Sequence, residues 1–276
     1  MLATLIVVFR EVIEAALIVA IVMGASRGIR GRGRWVSSGI ALGVVGAGIV
    51  AVFADVINGA FQGNGQELLN AGILLAAVCM LAWHNIWMSS HGKELAAEVR
   101  QVGDAVQSGS KPLTALMIIT LVAVMREGSE VVLFLWAIAA GGAEHISMVI
   151  GGFIGLAAGV LLGVLLYRGL LKIPFKHFFS VTGWLVLLIA AGLAAQAASF
   201  LNQAGLLPAL GNSLWDSSHI LSQGSLAGQM LHILVGYTAR PSGIQLLFYG
   251  VTLITILSLM HWVGKRHREA AAAHAT

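Results

Sequence analysis

Apolar residues run along this chain in long stretches broken by short polar connections, and seven of the stretches approach or exceed twenty residues. They cover approximately 2–26, 35–54, 68–90, 113–140, 146–167, 178–200 and 244–263. A helix that crosses a bilayer needs about 20 consecutive, mostly apolar residues, so the pattern predicts seven transmembrane helices. The second, third, fifth, sixth and seventh stretches hold no Lys, Arg, Asp or Glu, whereas the first and fourth each carry one Arg and two Glu near their middles.

The basic residues of the connections orient these helices. Four follow the first stretch (Arg27, Arg30, Arg32, Arg34), none the second, three the third (Lys93, Arg100, Lys111) and none the fourth. Three follow the fifth (Arg168, Lys172, Lys176), one the sixth (Arg240), and three lie in the tail (Lys265, Arg266, Arg268). Lys and Arg accumulate on the cytoplasmic side, so the alternation predicts an N-terminus outside and a C-terminus in the cytoplasm. The 201–242 connection is then external. It is long for a loop, and Leu226, Met230, Ile233, Leu234 and Tyr237 recur in it at helical spacing, which predicts an amphipathic helix.

Composition removes whole classes of function. Of 276 residues, 58% are hydrophobic and 10% charged, with a mean hydropathy of +0.89. A soluble domain needs roughly a quarter of its surface charged, so a soluble enzyme is excluded. A single cysteine, Cys79, can form neither an internal disulfide nor a thiolate metal cage. The net charge of +4 resides in the short clusters just described, so no nucleic-acid partner is expected. Arg10, Glu11 and Glu14 interrupt what would be the apolar core of a signal peptide, and the first helix is expected to stay.

Arg10-Glu11-Val12-Ile13-Glu14 in the first stretch returns 116 residues later as Arg126-Glu127-Gly128-Ser129-Glu130 in the fourth. The same shift carries Gly39 and Gly43 onto Gly155 and Gly159, which predicts one common register for two helices of each half. Three helices per repeat is an odd number, so the second copy must be inverted, a plan that transporters use to build a site at the membrane midplane. The expected division is 1–112, a first three-helix repeat with its cytoplasmic connection; 113–200, the inverted second repeat; 201–242, the external segment; and 243–276, a seventh helix with a basic tail. Gly151, Gly155, Gly159 and Gly163, four residues apart, read as a packing stripe.

Residues three apart on a helix share a face, so Glu11 projects with Glu14 and Glu127 with Glu130. Each charged group at the bilayer centre costs about 2.5–3.5 kcal/mol, and six together on the order of 15–20 kcal/mol, unless something compensates them. Arg10 can pair with Glu14 and Arg126 with Glu130, four residues apart, which as inert ion pairs would be purely structural. Two arginines neutralise only two of four glutamates, however, and Glu11 and Glu127 are left requiring protons or a cation. Carboxylate oxygens suit hard cations, among them iron, manganese, magnesium and calcium. A ferritin-like oxidation site would need Glu-x-x-His, which is absent from the sequence.

At these residues the chain resembles the iron permease family of oxidase-dependent iron transporters, in its bacterial EfeU-type branch, whose hallmark is Arg-Glu-Gly-x-Glu in the first and fourth membrane helices. The second motif fits; the first has Val12 in place of the glycine, outside the charged positions. The likeness extends into the external segment, from Trp215-Asp216 through Leu231-His232 to Gly236-Tyr237 and Pro241-Ser242. It implies an inner-membrane transporter, not an enzyme, that imports iron as substrate without a tightly bound cofactor. Glu11, Glu14, Glu127 and Glu130 would bind the ion, and Arg10 and Arg126 would balance charge. An extracytoplasmic iron-binding protein and an oxidase or peroxidase are the implied partners.

Asp216, Glu67 and Glu144 are candidates for collecting a cation on the external side, with Asp55, His145 and His219 weighed beside them. His84 and His91, toward the cytoplasmic end of the third stretch, could receive a departing ion, although His84 reads more simply as an interfacial residue between Trp83 and Trp87. His232 reads as a hydrogen-bonding anchor of the external loop. A proton-coupled or other divalent-cation transporter would use the same carboxylates, and a membrane protein that itself oxidises iron is the alternative of another class.

Overall fold

The computed structural model describes residues 1–60, 65–168, 175–211 and 213–273, and among these the regular structure is helical throughout. In order the helices are α1 (Leu2–Ala25), α2 (Arg32–Ala60), α3 (Gln66–Gln107), α4 (Thr114–Ala140), α5 (His145–Tyr167), α6 (Phe175–Gln203), α7 (Leu226–Val235) and α8 (Gly243–Ala273). Each of the seven apolar stretches coincides with one of the long helices, the first and fourth overrunning theirs by one residue. Five helices contain segments long and apolar enough to cross a membrane: Arg32–Ala54, Gln66–Trp87, His145–Tyr167, Val181–Gln203 and Gly243–Val263. The remaining two long helices, α1 and α4, are the ones that carry three charges each.

The distribution of polarity is that of a molecule dissolved in lipid. Arg10, Glu11, Glu14, His84, Asn85 and Glu127 are buried, while Val52, Phe53, Val56, Phe153 and Ile254 are each more than 60% exposed. Water as the solvent would penalise both halves of that pattern, whereas hydrocarbon favours the second and forces the first inward. The chain is an all-α, multi-pass membrane protein.

One element exceeds its expectation. With 42 residues α3 is about 63 Å long, twice the hydrocarbon thickness, so much of the 91–112 connection is helix. Two buried valines hold the extension in place: Val99 and Val106 join Ile18, Val22, Val36 and Leu116 in one apolar cluster beneath the ends of α1, α2 and α4. The helix stops where Ser108 and Ser110 turn their hydroxyls back to the Ala105 carbonyl and Gly109 takes φ +79°.

α1 and α4 touch each other at the centre, α5 lies along α1, and α2 lies along α4. α3 pairs with α6 and also meets both α1 and α4, while α8 covers α6 and α3. The close contacts correct the register read from sequence. A Cβ on Gly43 would meet Leu121 O, Val124 Cβ and Met125 N at 2.8–3.0 Å; a Cβ on Gly155 would meet Leu5 O, Val8 Cβ and Phe9 N at 2.6–3.2 Å. Those two neighbour sets are 116 residues apart, so Gly43 corresponds to Gly155, not to Gly159. Likewise Gly39 faces Met117 O as Gly151 faces Met1 O, and Ala47 faces Gly128 as Gly159 faces Val12. The second helices are therefore offset by 112 residues, one helical turn less than the first. Glycines repeating every four residues look alike under a one-turn slip, and only the facing helix distinguishes them.

The 201–242 segment is tied down by its own polar groups. Ser225 caps α7 by accepting the Gly228 amide at 3.0 Å, and Gly236, at φ +70°, ends the helix against Gly192 of α6. The Tyr237 hydroxyl donates to Leu221 O at 2.8 Å, and His232 Nδ1 donates to Tyr237 O at 2.6 Å, the anchoring role expected of this histidine. Of the residues at helical spacing, Tyr237 lies just beyond the helix.

Candidate metal-binding site

Where α1, α3 and α4 meet, seven ionisable side chains face one another. Both Arg-Glu-x-x-Glu strings form their i, i+4 ion pairs: Arg10 Nε stands 3.0 Å from Glu14 Oε1, and Arg126 Nε 3.3 Å from Glu130 Oε1. The i, i+1 partners are farther away, 3.6 Å for Arg10 to Glu11 and 3.8 Å for Arg126 to Glu127. As the charge count anticipates, Glu11 and Glu127 are the less engaged pair. Neither oxygen of Glu11 accepts a hydrogen bond, nor does Oε2 of Glu127, although the two residues are only 1% and 3% exposed. A buried carboxylate without donors is costly, and such oxygens are suited to a cation.

The two arginines differ. Arg10 is 3% exposed at its side chain, whereas Arg126 is 35% exposed and lies over the ring of Trp87, 4.5 Å from its centroid. Glu11 and Glu127 also form part of the lining of a cavity of about 810 Å³ bounded by α1, α2, α4 and α5, whose other lining residues are nearly all apolar. The carboxylates thus lie beside a space that favours neither water nor free ions, which strengthens any charge interaction made there.

The third member of the site was misread from sequence. His84 does not lie at the interface with Trp83 and Trp87; it is 2% exposed and sits among the glutamates. Its Nε2 is 3.2 Å from Glu14 Oε2 and 3.8 Å from Glu11 Oε2, and its Nδ1 lies against Glu130 Oε2. Trp83, 72% exposed, points outward alone, while Trp87 supports Arg126. A signal was available: among the apolar stretches without Lys, Arg, Asp or Glu, only the third has a histidine well inside it. One ligand atom from each of Glu11, His84, Glu127 and Glu130 can be chosen so that all four lie within 4.8 Å of one another. The groups that could hold a cation here are therefore three carboxylates and one imidazole rather than oxygen alone.

The candidates Asp216, Glu67 and Glu144 lie outside this cluster. Both Arg240 Nε and Nη2 donate to Asp216 Oδ2 at 2.9 Å, and the Ser218 hydroxyl and amide donate to Oδ1 at 2.5 and 2.9 Å. The Ser218 hydroxyl and then Arg240 hold this carboxyl well below the usual carboxylate range. Glu144 caps α5 and accepts the Ser147 hydroxyl at 2.7 Å, and Glu67 is exposed in the first turn of α3. The side chains of Asp55 and His91 lie outside the described residues.

Comparison with known proteins bears on the whole chain. It is 33% identical over 264 residues to the ferrous iron permease EfeU of Yersinia pestis, covering 94% of this chain and 93% of that protein. It is 33% identical over 261 residues to the ferrous iron permease EfeU of Escherichia coli O6:K15:H31, covering 93% and 94%. No solved structure matches. The profile of the iron permease FTR1 family matches residues 1–265, so the resemblance carried by the two motifs holds along nearly the full length. A membrane bundle with a buried, cation-ready cluster fits a transporter of iron rather than an enzyme, and the chain belongs to the iron permease FTR1 family.

Proposed function

We propose that this protein imports iron, taken up as Fe(II), across the bacterial cytoplasmic membrane by passing it through the carboxylates of its two Arg-Glu-x-x-Glu motifs. The observation that carries the reading is the meeting of Glu11, Glu14, Glu127 and Glu130, from helices 116 residues apart in sequence, in one buried cluster of an otherwise apolar bundle. The naming of the relatives as ferrous iron permeases supports the ferrous state in this reading. The arginines hold the net charge of the empty site near that of a divalent ion's counter-charge, so the ion is attracted without being trapped, a condition for release. Inward movement of a divalent cation gains about 4.6 kcal/mol per 100 mV of membrane potential, which can drive uptake without nucleotide hydrolysis.

In this reading all seven long helices span the membrane, with the N-terminus outside and the C-terminus inside. Residues 1–112 and 113–200 are inverted repeats, followed by the external segment 201–242 and the last helix with its tail, 243–276. The equivalent contacts of Gly43 and Gly155 and the exchange by which α2 lies on α4 and α5 on α1 support a twofold relation with α1 and α4 at its axis. Glu67 and Glu144 guide cations toward the site from outside. Asp216, already bound by Arg240, serves by shaping the external segment on which an extracytoplasmic iron-binding protein acts.

The test is radiolabelled iron uptake in cells lacking their own importers, comparing the intact protein with Glu11→Gln, Glu14→Gln, Glu127→Gln and Glu130→Gln at matched membrane abundance. Uptake is expected to fall at least tenfold in Glu11→Gln and Glu127→Gln. Undiminished uptake in all four would reduce the cluster to structural ion pairs.

A further inference from the structure

Within the cluster the two motifs are not used alike. Glu14 is engaged at both oxygens, Oε1 by Arg10 at 3.0 Å and Oε2 by His84 Nε2 at 3.2 Å. Its counterpart Glu130, more exposed at 13%, meets Arg126 with Oε1 and presents Oε2 to His84 Nδ1. All four glutamates keep an oxygen without a hydrogen-bond donor, and Glu11 and Glu127 also stand farther from their arginines, at 3.6 and 3.8 Å, than Glu14 and Glu130 do. The imidazole thus has Nε2 facing two carboxylates of α1, Glu14 at 3.2 Å and Glu11 at 3.8 Å, and Nδ1 turned toward Glu130; in metal sites a carboxylate at the far nitrogen orients a ligating histidine.

We propose that His84 is itself a ligand of the transported ion, binding through Nδ1 beside Glu11, Glu127 and Glu130, and that Glu14 is not a ligand but the residue that positions His84. The inference rests on the carboxylate conduit described above and refines its substrate class. Three carboxylates alone would accept Mg(II) and Ca(II) readily, whereas an added imidazole nitrogen suits Fe(II), Ni(II) and Zn(II). His84 therefore makes the site selective for divalent transition metals over the more abundant alkaline-earth ions. The geometry suits the role: the ring is 2% exposed, fixed between helices on either side, and set among the carboxylate oxygens that lack donors. Metal–nitrogen and metal–oxygen bonds of about 2.0–2.2 Å require Glu130 to move back as the ion arrives, and Glu130 is the glutamate of the four with exposed surface to move into.

The full-length protein in lipid nanodiscs, loaded with one equivalent of Mn(II), is examined by pulsed electron paramagnetic resonance. Expected is nitrogen-14 modulation from a coordinated imidazole, which disappears together with the bound ion in Glu127→Gln. In His84→Gln, Mn(II) remains bound at least tenfold more weakly without the modulation, and affinity for Ca(II) is unchanged. In Glu14→Gln the modulation persists, with a smaller loss of affinity. Mn(II) that depends on Glu127 but shows no nitrogen modulation, or modulation that survives in His84→Gln, overturns the role of His84 and leaves the carboxylate conduit standing. Absence of any Glu127-dependent Mn(II) binding overturns both. Because the wild-type and Glu127→Gln spectra already decide the first point, the result does not hang on the folding of the His84 variant.

Discussion

Arg10 and Arg126 occupy the same place in their motifs yet stand in different surroundings, and the difference predicts different consequences of their loss. Arg10 is sealed in the bundle against Glu14 and Glu11, while Arg126 is a third exposed and rests on Trp87. Removing one partner of a buried pair leaves an uncompensated charge and costs about 3–5 kcal/mol. Arg10→Ala should lower the thermal unfolding midpoint of the detergent-solubilised protein by roughly 10 °C or prevent its accumulation. Arg126→Ala should fold with a midpoint within a few degrees of the parent and be impaired in iron uptake instead. Equal losses of stability in the two variants would contradict the asymmetry. The four glutamates and both arginines are legible in the sequence as charges that a bilayer does not tolerate without a reason. His84 is legible only as a lone histidine inside an apolar stretch, and its place between two tryptophans gives it the local signature of a membrane interface instead.

Between elements, the close approaches are backbone against backbone. A Cβ on Gly155 would stand 2.6 Å from the Leu5 carbonyl oxygen, which cannot yield without moving α1 and with it Glu11 and Glu14. Gly155→Ala is expected to destabilise by about 1–3 kcal/mol and to reduce uptake, as overpacking does. Gly48, also within a helix, has no atom within 4 Å of an added Cβ, so Gly48→Ala should be neutral or, through helix propensity, stabilising by up to about 1 kcal/mol. Thermal unfolding of the two variants in one detergent gives the comparison; loss of stability in Gly48→Ala matching that in Gly155→Ala would refute the packing assigned to α1 and α5. Helix positions were readable from the apolar stretches, but their extents were not. The continuation of α3 to Gln107 depends on Val99 and Val106 finding Ile18, Val22 and Leu116, contacts made by residues far away in the chain.

For the molecule as a whole, the proposed orientation rests on where lysine and arginine accumulate, and it is open to direct measurement. In a Cys79→Ala background, Ser213→Cys in the external segment should react with a membrane-impermeant maleimide in intact spheroplasts. Ser110→Cys, in the turn between α3 and α4, should react only after the membrane is opened. Both side chains are exposed, so burial does not confuse the outcome. Labelling of Ser110→Cys in sealed spheroplasts would reverse the orientation and with it the direction assigned to transport.

By itself the sequence determined the solvent, the places of the long helices, and the six charged groups that share a purpose. These follow from composition summed over about twenty neighbouring residues and from a spacing of three or four along one helix, both local quantities. Tertiary structure alone decided which carboxylates are spent and which are left open. That outcome turns on His84 reaching Glu14, 70 positions away in the chain, and Glu130, which belongs to a third helix. It decided the glycine register too, since a stripe repeating every turn is the same stripe after a slip of one turn until a facing helix breaks the tie. Lipid accepts any apolar helix in nearly any arrangement, so the arrangement is specified by small residues that permit close approach and by polar groups that must find each other, and neither is visible one helix at a time.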